Sequence, residues 1–389
     1  MRILVTSSPS YGHVNPVLPV ALAARRAGHD VVVATGAELV EHVRGFGLPV
    51  WQVGPSRAEN DAAFRAAHPN IDALSPAGRM QTAMAGLFTE PAGPRAADLL
   101  DRTRTWCPDV VVHEVSELAG AVVAARTGAR HVVQGLGLPV SRPLWDATFG
   151  PGFARLCASF DLPELTERLF DATYLDIWPA SLRPVAPAWP DTRALRPVGG
   201  QASAPAEWDA GRLDALPYER TAHLTLGTIF SDAPGVLDTA LAGLRELPLN
   251  LVVTVGPQGD PARFGPQPPH VVVERYVPHD LLLPRCALLV GHGGAGITLA
   301  GLAHGLPQLV LPQGLDQFVN ADLCARAGAA LVVAPDELSP GRVNSAAEQL
   351  LDEPGFTEVA RRVSAEIAAM PTAPAVVTGL WDPTSTDDG

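Results

Sequence analysis

Short apolar runs alternate with helix-like stretches along nearly the whole chain, and few folds accommodate that rhythm. Residues 3–6 form an apolar run, followed by a polar loop over 7–15 and a second run at 31–33. Between them Asn15 suits a helix cap, Pro16 a first turn and Gly28 a helix end. Further strand-like runs lie at 110–113, 131–133, 223–226, 251–255, 271–274, 288–290 and 309–311, with a helical stretch at 118–126. Runs this short and this continuously apolar are buried on both faces, which implies a parallel, doubly wound sheet. Residues 199–219 interrupt the rhythm with Gly199, Gly200, Pro205 and Pro217. The expected fold is α/β, with two Rossmann-like doubly wound parallel-sheet domains facing across a cleft. Residues 1–200 are expected to form the first domain, 201–219 a linker, 220–375 the second domain and 376–389 a C-terminal tail, acidic from Asp382. Ligands of such sheets bind beyond the carboxyl ends of the strands.

Composition removes several functions. At 389 residues and 47% hydrophobic content, the chain exceeds one ordinary core, in keeping with two domains. A net charge of −13 argues against a nucleic-acid partner and against an anionic membrane surface. All 28 basic residues are Arg. A Walker A loop and a pyridoxal phosphate Schiff base each require Lys, so both are excluded. Cys107, Cys157, Cys286 and Cys324 are widely spaced and suit reduced thiols, not a disulfide frame or a zinc site. Neither a signal peptide nor an apolar stretch of about 18 residues is visible, so a cytoplasmic location without a membrane span is expected.

Two loops carry chemistry. The first, residues 10–16, follows the first strand and sets His13 at a carboxyl edge, just ahead of a helix. His13 there suits a general base; the plainer reading is a loop histidine bonded only to backbone. Glu114 also reaches a carboxyl edge, and a carboxylate on one ring nitrogen would fix the tautomer and stabilise the imidazolium. The second loop, Gly291-His292-Gly293-Gly294-Ala295-Gly296, follows a strand and opens a helix, so its amides and dipole make an anion site. Taken literally it fits GxGxxG, with Asp316 20 residues past Gly296, and an NAD(P)-dependent oxidoreductase is therefore a rival. Its depth in the chain, the added donor His292 and the hydroxyl-matched pair Asp316-Gln317 weigh against that rival. Gly227 and Thr228, after another strand, could serve the same anion. Met80, Met84 and Phe88 recur at helical spacing, and Trp145 and Phe149 follow a glycine-rich loop. These five are expected to face a flat apolar ligand, with ordinary core as the alternative for each.

Residues 276–330, with Tyr276-Val277-Pro278, His292-Gly293-Gly294-Ala295-Gly296 and Pro312-Gln313-Gly314-Leu315-Asp316-Gln317-Phe318, strongly resemble the donor half of actinomycete natural-product glycosyltransferases. These are GT-B enzymes of glycosyltransferase family 1, which decorate macrolides, enediynes and aromatic polyketides. Residues 10–16 and 174–184 look like the same group, and the likeness spans nearly the whole chain, most loosely over 53–100. The resemblance implies an inverting hexosyltransferase of antibiotic biosynthesis, moving sugar from a nucleotide diphosphate to a hydroxyl of a hydrophobic acceptor. His13 would be the base, with Glu114 where plant relatives carry Asp. His292, Gly294 and Thr228 would hold the pyrophosphate, Thr298 would add a hydroxyl, and Gly227, Gly293, Ala295 and Gly296 would complete the donor-binding loops. Tyr276 and Val277 would take the nucleobase, and Asp316 and Gln317 the sugar. Uridine-using relatives carry a ribose-binding Glu eight residues after the phosphate histidine; Ala300 stands there, which favours a dTDP-deoxysugar over a UDP-sugar. No Asp-x-Asp motif lies in a suitable loop, so neither a metal nor a cofactor beyond the donor is expected. A UDP-sugar transferase, a nucleotide-sugar epimerase, a lipid-linked cell-wall transferase and a non-catalytic subunit remain as alternatives, and a homodimer or an activator protein as partners.

Overall fold

Every strand pairing is parallel among the residues that the computed structural model describes, which are 1–197, 208, 210–227, 235–256, 259–314 and 316–381. The first sheet holds β1 (Arg2–Thr6), β2 (Asp30–Thr35), β3 (Val50–Gln52), β4 (Val110–Glu114), β5 (Arg130–Gln134), β6 (Thr173–Asp176) and β7 (Thr192–Ala194), in the order β3-β2-β1-β4-β5-β6-β7. The second holds β8 (Thr221–Thr225), β9 (Asn250–Thr254), β10 (Val271–Glu274), β11 (Leu288–Gly291), β12 (Gln308–Val310) and β13 (Ala330–Val332), in the order β10-β9-β8-β11-β12-β13. The central strands lack a polar alternation because helices cover both faces: Ile3, Leu4, Val5, Val111 and Val112 are all fully buried. In each sheet the strand order reverses once, between β1 and β4 and between β8 and β11. Such reversals open a crevice at the carboxyl ends of the two strands, the usual ligand position in this architecture.

The chain divides into two compact units, and the division interleaves. One unit combines Met1–Ile177, Val185–Leu195 and the stretch from Pro371 onward; the other combines Trp178–Pro184 with Arg196–Met370. The excursion at Trp178–Pro184 is tied to the second unit, where the Ser181 amide donates to Glu366 Oε1 at 3.0 Å. The helix Ala373–Trp381 packs on the helix Tyr11–Arg26 of the first unit, and the Arg130 guanidinium donates to the Leu380 carbonyl. Residues that the sequence analysis divides between second domain and tail thus form one helix of the first unit. Positions 201–207 and 209 of the expected linker, and 382–389 of the tail, lie outside the described residues.

One local expectation is corrected. The first helix spans Tyr11–Arg26, with Ser10 at its N-cap and both Pro16 and Pro19 inside it. Asn15 does not cap; its Oδ1 accepts from His42 Nε2 at 2.7 Å. The amides of His13 and Val14 close the first turn on the Ser10 carbonyl at 3.0 and 2.9 Å, ahead of either ring. Each proline then removes one bond, to Gly12 and to Asn15, which the packed helix tolerates. By length and composition alone Pro354–Leu380 could cross a membrane. It is not one helix: Met370, at ψ 147, separates Pro354–Ala369 from Ala373–Trp381, and a span requires about 20 continuous helical residues.

Candidate active site

At the first reversal, β1 and β4 lie side by side, with Thr6 opposite His113. Glu114 is the last residue of β4, and the loop after β1 leads directly into the turn carrying His13. The two side chains meet: His13 Nδ1 lies 2.9 Å from Glu114 Oε1. A carboxylate only accepts, so Nδ1 carries the proton and Nε2 is left to accept one. Glu114 is fully buried, and its other bonds come from the Ser8 amide at 3.3 Å, the Ser116 amide at 2.6 Å and the Ser116 hydroxyl at 2.7 Å. Burial pushes its carboxyl up, but attraction to His13 in its imidazolium form and the bonds from His13 and Ser116 more than offset this, to about 2. The carboxylate is therefore ionised under all ordinary conditions. The Ser116 hydroxyl also lies 3.2 Å from His13 Nδ1.

Behind this pair stands a buried polar layer that sequence reasoning missed. Glu117 accepts from the Thr6 hydroxyl at 2.5 Å and from the Gly120 amide at 3.0 Å. Arg95, 2% exposed, donates to the Ser8 hydroxyl at 3.4 Å. Burial pushes its guanidinium down, while Glu117 and then Glu114 push it back up. One cation thus counterbalances two buried carboxylates. No local signal marks Arg95, 87 residues from Ser8.

The apolar residues divide. Phe88 faces His13, with ring centroids 5.4 Å apart, and meets Phe149 edge-on at 6.0 Å. Met84 packs partly buried against the first core. Trp145 is 2% exposed and packs edge-on against Phe153 and Phe170, as a core residue does. Phe149, at 6%, is also mostly core. The Met80 side chain lies outside the described residues.

At the second reversal, Gly291 ends β11 opposite Thr225 of β8. The helix Ala295–Ala303 starts from Gly294 as N-cap, so its first amides face the crevice. His292 sits between two glycines that admit no side chain. A Cβ at Gly227 would lie 2.5 Å from His292 Cε1, and one at Gly294 2.4 Å from Nε2. Burial lowers the His292 pKa to about 4, so the ring is neutral. His292 Nδ1 and Thr298 Oγ1 are buried and have no hydrogen-bond partner among the described residues, which leaves both able to meet a ligand. Thr228 lies outside the described residues.

The remaining donor-site expectations change in detail. Tyr276 is 37% exposed, and burial of its remainder, reinforced by Asp280, raises its hydroxyl to about 12. Val277 is fully buried with Leu213, Val252 and Leu282, so only its backbone can meet a base. Asp316 is exposed at the start of the helix Gln317–Ala327. Gln317 turns into its own loop: it is 2% exposed, and its Oε1 accepts from the amides of Gln313 at 2.7 Å and Gly314 at 3.2 Å. Ala300 is packed among Leu283, Leu289, Ile297 and Leu306, so core space alone accounts for a small residue there.

Two family profiles cover most of the chain: erythromycin biosynthesis protein CIII-like N-terminal domain over residues 22–192, and the corresponding C-terminal domain over 238–382. L-demethylnoviosyl transferase of Streptomyces niveus is 33% identical, over 98% of this chain and 97% of its own length. Elloramycin glycosyltransferase ElmGT of Streptomyces olivaceus is 32% identical (97% and 96%), and TDP-daunosamine transferase DnrS of Streptomyces peucetius 30% identical (98% and 96%). Among solved structures, spinosyn forosaminyltransferase SpnP matches with a TM-score of 0.78 at 26% identity, over 98% of both chains. Glycosyltransferase SsfS6 of Streptomyces sp. SF2575, complexed with thymidine diphosphate, also matches at 0.78, with 25% identity over 98% and 99%. The oxidoreductase reading falls with these relationships. The chain belongs to the erythromycin biosynthesis protein CIII-like family of actinomycete antibiotic glycosyltransferases, with the two parallel-sheet domains of the GT-B fold and a sugar-transfer function.

Proposed function

We propose that the protein transfers a deoxysugar from a dTDP-sugar to a hydroxyl of a hydrophobic natural-product aglycone, with inversion and without a metal. The observation that carries this reading is the 2.9 Å pair of His13 and buried Glu114 at a strand-order reversal. In the proposed reaction the acceptor hydroxyl gives its proton to His13 Nε2 as its oxygen attacks the anomeric carbon. The bond from that carbon to the diphosphate oxygen breaks on the opposite face, and the configuration inverts. Glu114 remains ionised and stabilises the imidazolium. The leaving diphosphate would rest on the first amides of the helix Ala295–Ala303, on His292 Nδ1 and on Thr298 Oγ1. Fixed dipoles there need no reorganisation as charge develops, and they take the part a cation would otherwise play.

The donor choice is supported by the thymidine diphosphate held by SsfS6 and by the TDP-daunosamine in the name of DnrS. The elloramycin and spinosyn in the names of two relatives support a natural-product acceptor, as does the aromatic contact of Phe88 beside His13. The test is transfer from a dTDP-sugar of known anomeric configuration, with the product linkage assigned by NMR and the rate measured with and without EDTA. An inverted linkage at an unchanged rate in EDTA agrees with the proposal. Retention would remove His13 from the proposed role, and loss of rate in EDTA would remove the metal-free mechanism.

A further inference from the structure

The two ligand loops of the second unit are joined by one buried amide. Asn320 is fully buried on the helix Gln317–Ala327, four residues after Asp316. Its Nδ2 donates to the Gly293 carbonyl at 2.9 Å and to Asp316 Oδ2 at 2.8 Å. Both partners only accept, so they set the amide's orientation; flipped, it would face oxygen with oxygen. The backbones approach closely beneath it: a Cβ at Gly293 would lie 2.7 Å from Val310 Cγ1 and 3.1 Å from the Gln317 carbonyl. The Gln317 side chain closes the other flank by accepting from Gln313 and Gly314. Asp316 is left as the exposed acid of a loop whose frame is otherwise internally bonded.

We infer that Asn320 is a positioning residue for donor recognition, holding the Asp316 carboxylate in register with the Gly293 anion turn so that sugar and diphosphate are bound as one unit. Asn320 has no contact with the donor in this account. It acts through two acceptors, one of them charged, and a charge-assisted bond to an exposed carboxylate removes rotamers that would otherwise have to be frozen on binding. The inference rests on the donor-site reading above.

The experiment is a double-mutant cycle in the full-length protein, reading dTDP affinity by calorimetry and kcat and KM for the dTDP-sugar. Asn320→Ala is expected to lower kcat/KM about tenfold to a hundredfold, mainly through KM. Affinity for dTDP, which offers no sugar to Asp316, should change less than about threefold. In an Asp316→Ala background the same substitution should cost less than about threefold more. Asn320→Leu keeps roughly the volume and loses the donated N–H without placing a second charge beside Asp316, so it carries the same expectation should Asn320→Ala fail to fold. Additive losses in the double variant, or equal losses for dTDP and dTDP-sugar, would overturn the inference. Failure of the donor-site reading is distinguishable: wild-type protein would not bind dTDP, and Asp316→Ala would leave transfer unchanged.

Discussion

The reversal between β1 and β4 is furnished with charged side chains, that between β8 and β11 with backbone and glycine. At the first, Glu114, Glu117 and Arg95 are buried together around the loop that presents His13. At the second, Gly227 and Gly294 enclose a neutral His292 ahead of a helix N-terminus. On the proposed reaction, the same topology meets two different chemical demands. A base changes charge during the reaction, so it needs a counter-charge held ready and kept ionised in a low-dielectric setting. A diphosphate arrives already charged, so it needs fixed donors that do not titrate near neutral pH.

Substitutions that remove one half of this contrast should leave the other intact. The largest expected effect is that of Glu114→Gln, about a thousandfold in kcat with donor KM nearly unchanged, measured by steady-state kinetics. Its stability has a defined pH dependence. The folded carboxyl is depressed to about 2, so its contribution is full above the ordinary carboxylate range and is lost as pH falls toward 2. Glu114→Gln should therefore melt below wild type at pH 6, by about 1–3 kcal/mol in unfolding free energy, with the gap closing near pH 2. A gap that persists there would break the charged half of the comparison.

Gly294→Ala should come next. Its Cβ would press on His292 Nε2, and dTDP affinity should fall about a hundredfold while the protein stays folded. An unchanged calorimetric Kd would show that the ring's seat is not part of the anion site. Ala300→Glu then sharpens the donor argument. A carboxylate at this position would be buried among Leu283, Leu289, Ile297 and Leu306, so the expected outcome is destabilisation of about 3 kcal/mol, read as a lowered melting temperature. A stable variant that gained UDP preference would restore Ala300 as a donor determinant. The smallest effect is expected from Trp145→Phe: about 1–2 kcal/mol of stability, with acceptor KM within about twofold. A large KM change would return Trp145 to the acceptor surface.

What was legible in the sequence follows the physics of each signal. Buried parallel strands announce themselves as apolar runs, so β1, β2, β4, β5 and β8 to β12 were readable. The edge strands β3 and β7, each with polar residues in a three-residue span, show no apolar run, and β6 and β13 were also not read. The first helix was misplaced because Pro16 and Pro19 suggest a start that tertiary packing overrides. His13, Glu114 and His292 were visible as polar residues at the ends of apolar runs. Arg95, Glu117 and Asn320 were not, since burial makes them functional neighbours and local pattern carries no trace of burial by distant segments. The facing of Val277, Trp145 and Ala300 was likewise decided by packing, in segments too short to show a period.

The division of labour between the two reversals is tested most directly by calorimetric dTDP titration and single-turnover transfer on two variants, His13→Ala and His292→Ala. The account predicts that His13→Ala binds dTDP within about twofold of wild type yet loses transfer by about a thousandfold or more, and that His292→Ala loses dTDP affinity by at least about tenfold. Transfer at the wild-type rate by His13→Ala, or unchanged dTDP binding by His292→Ala, would contradict it.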